Sequence, residues 1–242
     1  AGETMPHRRF PLPMLVDTQP ATYQHMPASP EVRDHWVNSQ LIGVLMDNMG
    51  ASLLAALLSL PVLVFMMAGE VNTVGLLVWT VGMLAMLVYR YHLIGIYRLR
   101  HDSLEGPQRI TFIQRYHWTW AAMALLWGGP VLLSYQQAPI STQFVCALVV
   151  LGQGLLTLTA FSAYLPVYRS YANALMFSVL MSLVIVMLAL PQPAGSLQTG
   201  LVLTALLVAF WGLLFMTGTR MHEVHRASFE LQFSNQELID SL

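Results

Sequence analysis

Six apolar runs, each close to the ~20 residues a helix needs to cross a hydrocarbon core, leave this chain few ways to fold. They occupy residues 49–68, 73–89, 118–133, 143–165, 171–190 and 197–216. Inside lipid every backbone N–H and C=O has to be satisfied within the protein, so only helices and closed barrels span. A barrel would show ~10-residue segments of alternating polarity, and the sequence has none. The expected fold class is all-α, a polytopic membrane protein with six transmembrane helices. The charged fraction of 10%, against about 25% in soluble domains, points the same way.

Arginine supplies the orientation. The chain has no lysine, and its eleven basic residues are Arg8, Arg9, Arg33, Arg90, Arg98, Arg100, Arg109, Arg115, Arg169, Arg220 and Arg226. None falls in the connections at 69–72, 134–142 or 191–196. All the positive charge is therefore on one side, which the positive-inside rule makes cytoplasmic. Both termini are expected in the cytoplasm. The short connections opposite leave no outer domain to catch a soluble ligand. Four segments follow: a proline-rich disordered arm at 1–28, an interfacial helix at 29–48, a six-helix domain at 49–216, and a polar helix at 217–242. Ser29, Pro30 and Glu31 together form a helix-start signal. Between spans two and three, Tyr91–Tyr97 and Arg109–His117 read as helical extensions broken near Glu105-Gly106-Pro107. They are expected to form a hairpin beside the last helix.

That last helix carries a narrow apolar seam. Met221, Val224, Ser228, Leu231, Asn235, Leu238 and Leu242 alternate spacings of three and four, the a/d pattern of a heptad, with Asn235 at an a position. A buried Asn at a sacrifices stability while fixing register and favouring a parallel two-stranded coil. Val224, Leu231, Asn235 and Leu238 are thus the expected dimerisation and signalling residues, and a parallel homodimer is the expected partner state. An amphipathic tail lying on the membrane is the alternative. The seam ends in mid-heptad without a helix-stop signal, which predicts an output module beyond it.

Candidate chemistry is sparse. Asp47, Asn48 and Arg90 are interhelical polar candidates near span ends, where a carboxylate is costly unless paired or wet. Gln153 lies mid-span between Gly152 and Gly154 and reads first as a packing amide. With Thr157 on the same polar trace it is also a ligand candidate. Trp127 and Tyr135 are ligand candidates on the outer half, or members of an aromatic belt. His222 and His225 are three apart without further ligands, so no metal site is expected. The lone Cys146 excludes an intrachain disulfide and a thiolate cluster. No Walker loop, dinucleotide fingerprint, nucleophile elbow or zinc-protease helix is present. No catalytic residue, cofactor or nucleic-acid partner is assigned. The lipid bilayer and a hydrophobic small molecule are the expected partners.

Several pieces together resemble the six-span sensory regions at the N-terminus of bacterial sensor histidine kinases, hybrid kinases included, and of some diguanylate cyclases. They are the helix Glu31–Leu45 with Gln40-Leu41, then Asp47-Asn48-Met49, then Arg90 closing span two. Arg115-Tyr116-His117-Trp118 before span three, Trp127-Gly128, and Phe229-Glu230-Leu231-Gln232-Phe233-Ser234-Asn235-Gln236-Glu237-Leu238-Ile239 complete the set. None of these pieces is a catalytic signature. The family's phosphoacceptor histidine, ATP-binding motifs and GGDEF sequence are not in this chain. The resemblance implies an input and dimerisation module in a bacterial inner membrane that passes a membrane-borne stimulus to a histidine kinase in two-component signalling. The same module driving a cyclase, a small transporter, and a dimerising scaffold are the other readings.

Overall fold

The computed structural model describes residues 29–100, 106–189 and 196–240. The expected arm at 1–28, Glu105, the connection at 190–195 and the final seam position, Leu242, lie outside the described residues. The described residues form helices and short turns: α1 (Pro30–Met67), α2 (Thr73–Arg100), α3 (Gly106–Tyr116), α4 (Trp118–Leu126), α5 (Gly129–Ser134), α6 (Ile140–Phe161), α7 (Leu165–Ala189) and α8 (Ser196–Asp240). Five of these, α1, α2, α6, α7 and α8, are long and apolar enough to cross a membrane.

The start of α1 follows from its sequence. Ser29 Oγ accepts the Val32 N–H at 3.4 Å, Pro30 opens the helix, and Glu31 sits in the first turn. From there the interfacial stretch and first span run on as one helix of 38 residues. Its buried positions, including Leu41, Leu45, Met49, Leu53, Ala56, Leu60, Leu63 and Met67, recur at three and four residues, as an amphipathic helix requires. That stripe faces α2, α3, α6 and α8.

The third apolar run is divided. Six spans were expected, but this run forms α4 and α5, and neither is long enough to cross alone. The break falls at Trp127-Gly128, ahead of Pro130, which has no N–H to continue the α4 ladder. The Leu126 carbonyl that this frees accepts from Trp79 Nε1 of α2 at 2.7 Å. Gly128 O and Ala124 O keep backbone donors, the N–H groups of Leu132 and Trp127. The Ser182 and Ser178 hydroxyls of α7 lie 3.0 Å and 3.3 Å from them and are shared with carbonyls of α7 itself. Both short helices lie along α7. The joint tolerates no side chain, since a Cβ on Gly128 would stand 2.8 Å from the Ser178 carbonyl oxygen.

The extension of α2 and the helix α3 form a hairpin-like pair that meets at Tyr97 and Phe112, whose tilted rings lie 5.7 Å apart, with Phe112 against Tyr116 within α3. Its place differs from the expectation. The hairpin packs on α1, and it is α1 that meets α8. Tyr97 and Ile113, both buried, draw it to the apolar stripe of α1, whereas α8 at that level offers polar side chains.

Replacing Gly128 with Ala pushes a methyl into α7 backbone, which cannot rotate away. Overpacking of this kind costs about 1–3 kcal/mol. The variant should unfold at lower temperature than the parent in the same detergent, while Gly43→Ala, where nothing stands within 4 Å, should not.

Candidate functional site

The most open part of the bundle lies where α8 meets α6 and α7. Of the five long helices, α8 buries least of its apolar span. Two glycines set its approach to α7. At the Arg-free end, a Cβ on Gly200 would stand 2.8 Å from Met187 Sδ; at the Arg-bearing end, one on Gly218 would overlap the Tyr168 ring. The Tyr168 hydroxyl also donates to Leu214 O. These contacts are eighteen residues apart, about 27 Å of helix, which approaches the thickness of a hydrocarbon core.

Between them is a crevice of about 520 Å³, within the range of sites for small organic ligands. Cys146, Val150, Val179, Leu183, Leu207 and Phe210 form its apolar wall, and Ser134, Tyr135, Gln143 and Thr199 line its Arg-free end. A narrower extension continues past Met176 and Trp211 to Leu214. No ionisable carboxylate or basic side chain lines either part. Such walls suit an apolar or uncharged amphiphilic molecule dissolved in the bilayer.

Of the ligand candidates read from sequence, Tyr135 lines this crevice. Trp127 is fully buried at the α4–α5 joint. Gln153 Nε2 donates to Ser59 Oγ of α1 at 3.3 Å, and Thr157 Oγ1 donates within α6 to Gly154 O at 2.6 Å. These three therefore stand away from the crevice walls. Among the interhelical candidates, Asn48 Nδ2 donates to Thr159 O of α6 at 3.2 Å, Asp47 is exposed, and Arg90 is buried. Gly200, Gly218 and Phe210 escaped the sequence reading. The glycines were the available signal, being small residues within a run of Leu, Val and Phe.

Beyond Gly218, α8 leaves the bundle and docks on the start of α1. Trp36 packs against Phe229 and Phe233, with ring centroids 6.4 Å and 5.4 Å away. Arg226 donates to Asp34 at 2.8 Å and to Glu230 at 2.9 Å, and Arg33 meets Glu230 at 3.3 Å. His222 Nδ1 donates to Ala163 O at 3.0 Å, tying α8 to the turn between α6 and α7. Exposed ion pairs contribute little, about 0–1 kcal/mol, so the aromatic contact holds most of this clamp. On the opposite face Val224, Leu231 and Leu238 are 69%, 65% and 63% exposed, and Asn235 lies with them. No group of three or more metal-ligating side chains occurs among the described residues.

Comparison with protein-family models, with curated proteins and with solved structures returns no match.

The clamp is acid-sensitive. The hydrogen bond from Arg226 holds the Glu230 carboxyl below its ordinary value of 4.5; burial opposes it, and the charges of Arg226 and Arg33 and a hydrogen bond from Arg33 add to the lowering. Glu230 in turn raises Arg226. A depressed carboxylate stabilises the contact above its free pKa and loses that contribution as pH falls through the lower bound-state value. The distance between spin labels at positions 35 and 232 should stay constant from pH 7 to 5 and lengthen only in more acidic buffer. Glu230→Gln should show the looser distance at every pH.

Proposed function

We propose that this chain is the membrane-embedded input and dimerisation module of a two-component signalling system. The observation that carries this reading is the continuity of α8. One helix of 45 residues forms a wall of the crevice in its apolar half and bears an exposed apolar seam in its polar half. A molecule that settles between α8 and α6–α7 acts on the same rigid element that carries the seam. It can bias the arrangement only through different affinity for the two states, and a crevice whose width depends on the stance of α8 supplies that difference.

The partner for the seam is a second copy. Phe229, Phe233, Arg226 and Glu230 are engaged by α1, whereas Val224, Leu231, Asn235 and Leu238 share the other side of the helix. Three large apolar side chains in one line, outside the lipid-facing stretch, favour a parallel coil with Asn235 setting register. Alongside them, α4 and α5 stack end to end along α7, which favours a sixth crossing of about sixteen residues, short but made viable by its partnered break. With the arginines cytoplasmic, both termini face the cytoplasm of a bacterial inner membrane. The effector is then a histidine kinase, in keeping with the resemblance of the pre-span helix and the Phe229–Ile239 segment; a diguanylate cyclase is the alternative.

Spin labels at Ser228→Cys in nanodiscs test the proposal. A short interchain distance is expected, and Leu206→Trp, which thickens the crevice wall, should shift it. Leu231→Ser with Leu238→Ser should weaken the dimer, and Asn235→Leu should strengthen association while broadening the distances. Absence of any interchain coupling would remove the dimer from the reading. A distance unmoved by Leu206→Trp would leave a scaffold, and substrate-selective flux in liposomes would assign a transporter.

A further inference from the structure

A second site lies apart from the crevice, at the Arg-bearing end of the bundle, and does not depend on the signalling reading. Arg90 is 1% exposed. No carboxylate approaches it within ion-pair distance among the described residues. Its guanidinium sits against two aromatic rings, with Cζ 5.3 Å from the centre of Trp120 and 5.5 Å from that of Phe161. Those rings answer the charge through their π faces, but they accept no N–H in the guanidinium plane. Arg90 Nε and Nη2 are both buried without a hydrogen-bond partner. They are the two nitrogens that share one side of the fork, the edge that grips carboxylate or phosphate with two parallel bonds. Trp120 Nε1 and Ser162 Oγ are also buried and unpartnered. Trp120 walls the guanidinium, and Ser162 adjoins Phe161. The Tyr171 ring lies tilted against Phe161 at 5.0 Å, and its hydroxyl, beside Trp127 and Arg90, is the neutral acceptor of the neighbourhood. Among the described residues no anionic acceptor answers the guanidinium.

We propose that the Nε/Nη2 edge of Arg90 is a binding site for an oxyanion, a carboxylate or a phosphate, received at the Arg-bearing end between α2, α4, α6 and α7. Burying a charged fork with one edge unbonded is unfavourable, and an oxyanion supplies both the missing acceptors and the missing negative charge. In this conformation the edge is closed over, so occupancy has to move a wall. Phe161 is the wall that connects to α8. It ends α6 and opens the turn in which Ala163 accepts from His222 of α8. The site therefore has a direct mechanical contact with α8, through three consecutive residues.

The shared chemistry has three sources: an anionic lipid headgroup, an acidic amphiphile and a free inorganic ion. The full chain, with Arg90→Lys and Arg90→Met, is placed in phosphatidylcholine nanodiscs. It is then exposed to inorganic phosphate, to decanoate, to decanol, or to nanodiscs containing phosphatidylglycerol. Tryptophan emission and the thermal midpoint are read. At least one oxyanion should shift the emission saturably and raise the wild-type midpoint, while decanol does neither; the responding probe identifies the source. Arg90→Met should lose the response. Arg90→Lys, a point charge without the planar fork, should bind about tenfold more weakly, the worth of one charge-assisted hydrogen bond. Should Arg90→Met fail to fold, the Lys variant carries the comparison, since a merely space-filling cation would respond like the parent. Equal responses in parent and Lys or Met variants, or no response of the parent to any oxyanion, would overturn the proposal.

Discussion

The contact on which the arrangement turns is Tyr168 against Gly218. The absent side chain lets the ring lie on α8 backbone, and the phenol hydroxyl fastens it to the Leu214 carbonyl. A side chain of any size at 218 would push α8 off α7. Everything on either side of this point follows a different rule. Towards the Arg-free end, α8 meets lipid and a loosely filled crevice, where contact is apolar and nondirectional. Towards the other end it meets α1 through rings and charges, with exposed Val224 and Leu231 on the opposite face of the helix. One backbone contact thus separates a lipid-tuned half from a water-tuned half of a single helix.

The division of α4 from α5 rests on a related device. Breaking a helix in an apolar setting strands carbonyl oxygens, and unsatisfied groups there cost several kcal/mol each. Pro130 strands one of them, Leu126 O, and Trp79 donates to it, while the Ser178 and Ser182 hydroxyls approach Ala124 O and Gly128 O, so the break is held against both α2 and α7. Such bonds contribute only about 0.6 kcal/mol each in membranes on average. Their effect is to fix the position of the joint, with Gly128 allowing the approach that makes them reachable.

Much of the fold was legible because the signals were periodic or local. The cap at Ser29-Pro30-Glu31 and the stripe of α1 are local or periodic signals, and the structure has both. The break in the third run was harder to see. Trp127, Gly128, Gly129 and Pro130 stood in plain view, but whether a Gly-Pro pair kinks a helix or ends it depends on which neighbours can serve the freed carbonyls. The same limit hid the crevice. Phe210 and Leu207 are unremarkable apolar residues in a run of them, and their role comes from where Gly200 and Gly218 let α8 stand. Gln153 and Thr157 drew attention as polar residues in an apolar run, yet each is occupied with a helix–helix or within-helix bond. The hairpin of α2 and α3 joined α1 rather than α8 because partner choice between amphipathic helices is a competition among faces, and sequence displays each face alone.

The two fixed points on α8 differ in stiffness, and that difference sets how the helix can move. At Gly200 the neighbour is Met187, an unbranched thioether that repacks easily. At Gly218 it is a rigid ring held by a hydrogen bond. On the proposed reading, a wedge in the crevice would displace the Gly200 end and leave the Gly218 end in place, tilting α8 about Tyr168. From Gly218 to Gly200 is about 27 Å along the helix, and from Gly218 to Leu238 about 30 Å. The arms are nearly equal, so a lateral step at the crevice returns at the seam with similar size and opposite sense. The clamp on α1 opposes it only through two aromatic contacts and exposed ion pairs, which are weak against a rigid lever. Motion along the helix axis, by contrast, would have to strip the Tyr168 ring from its glycine, which makes tilt the softer direction.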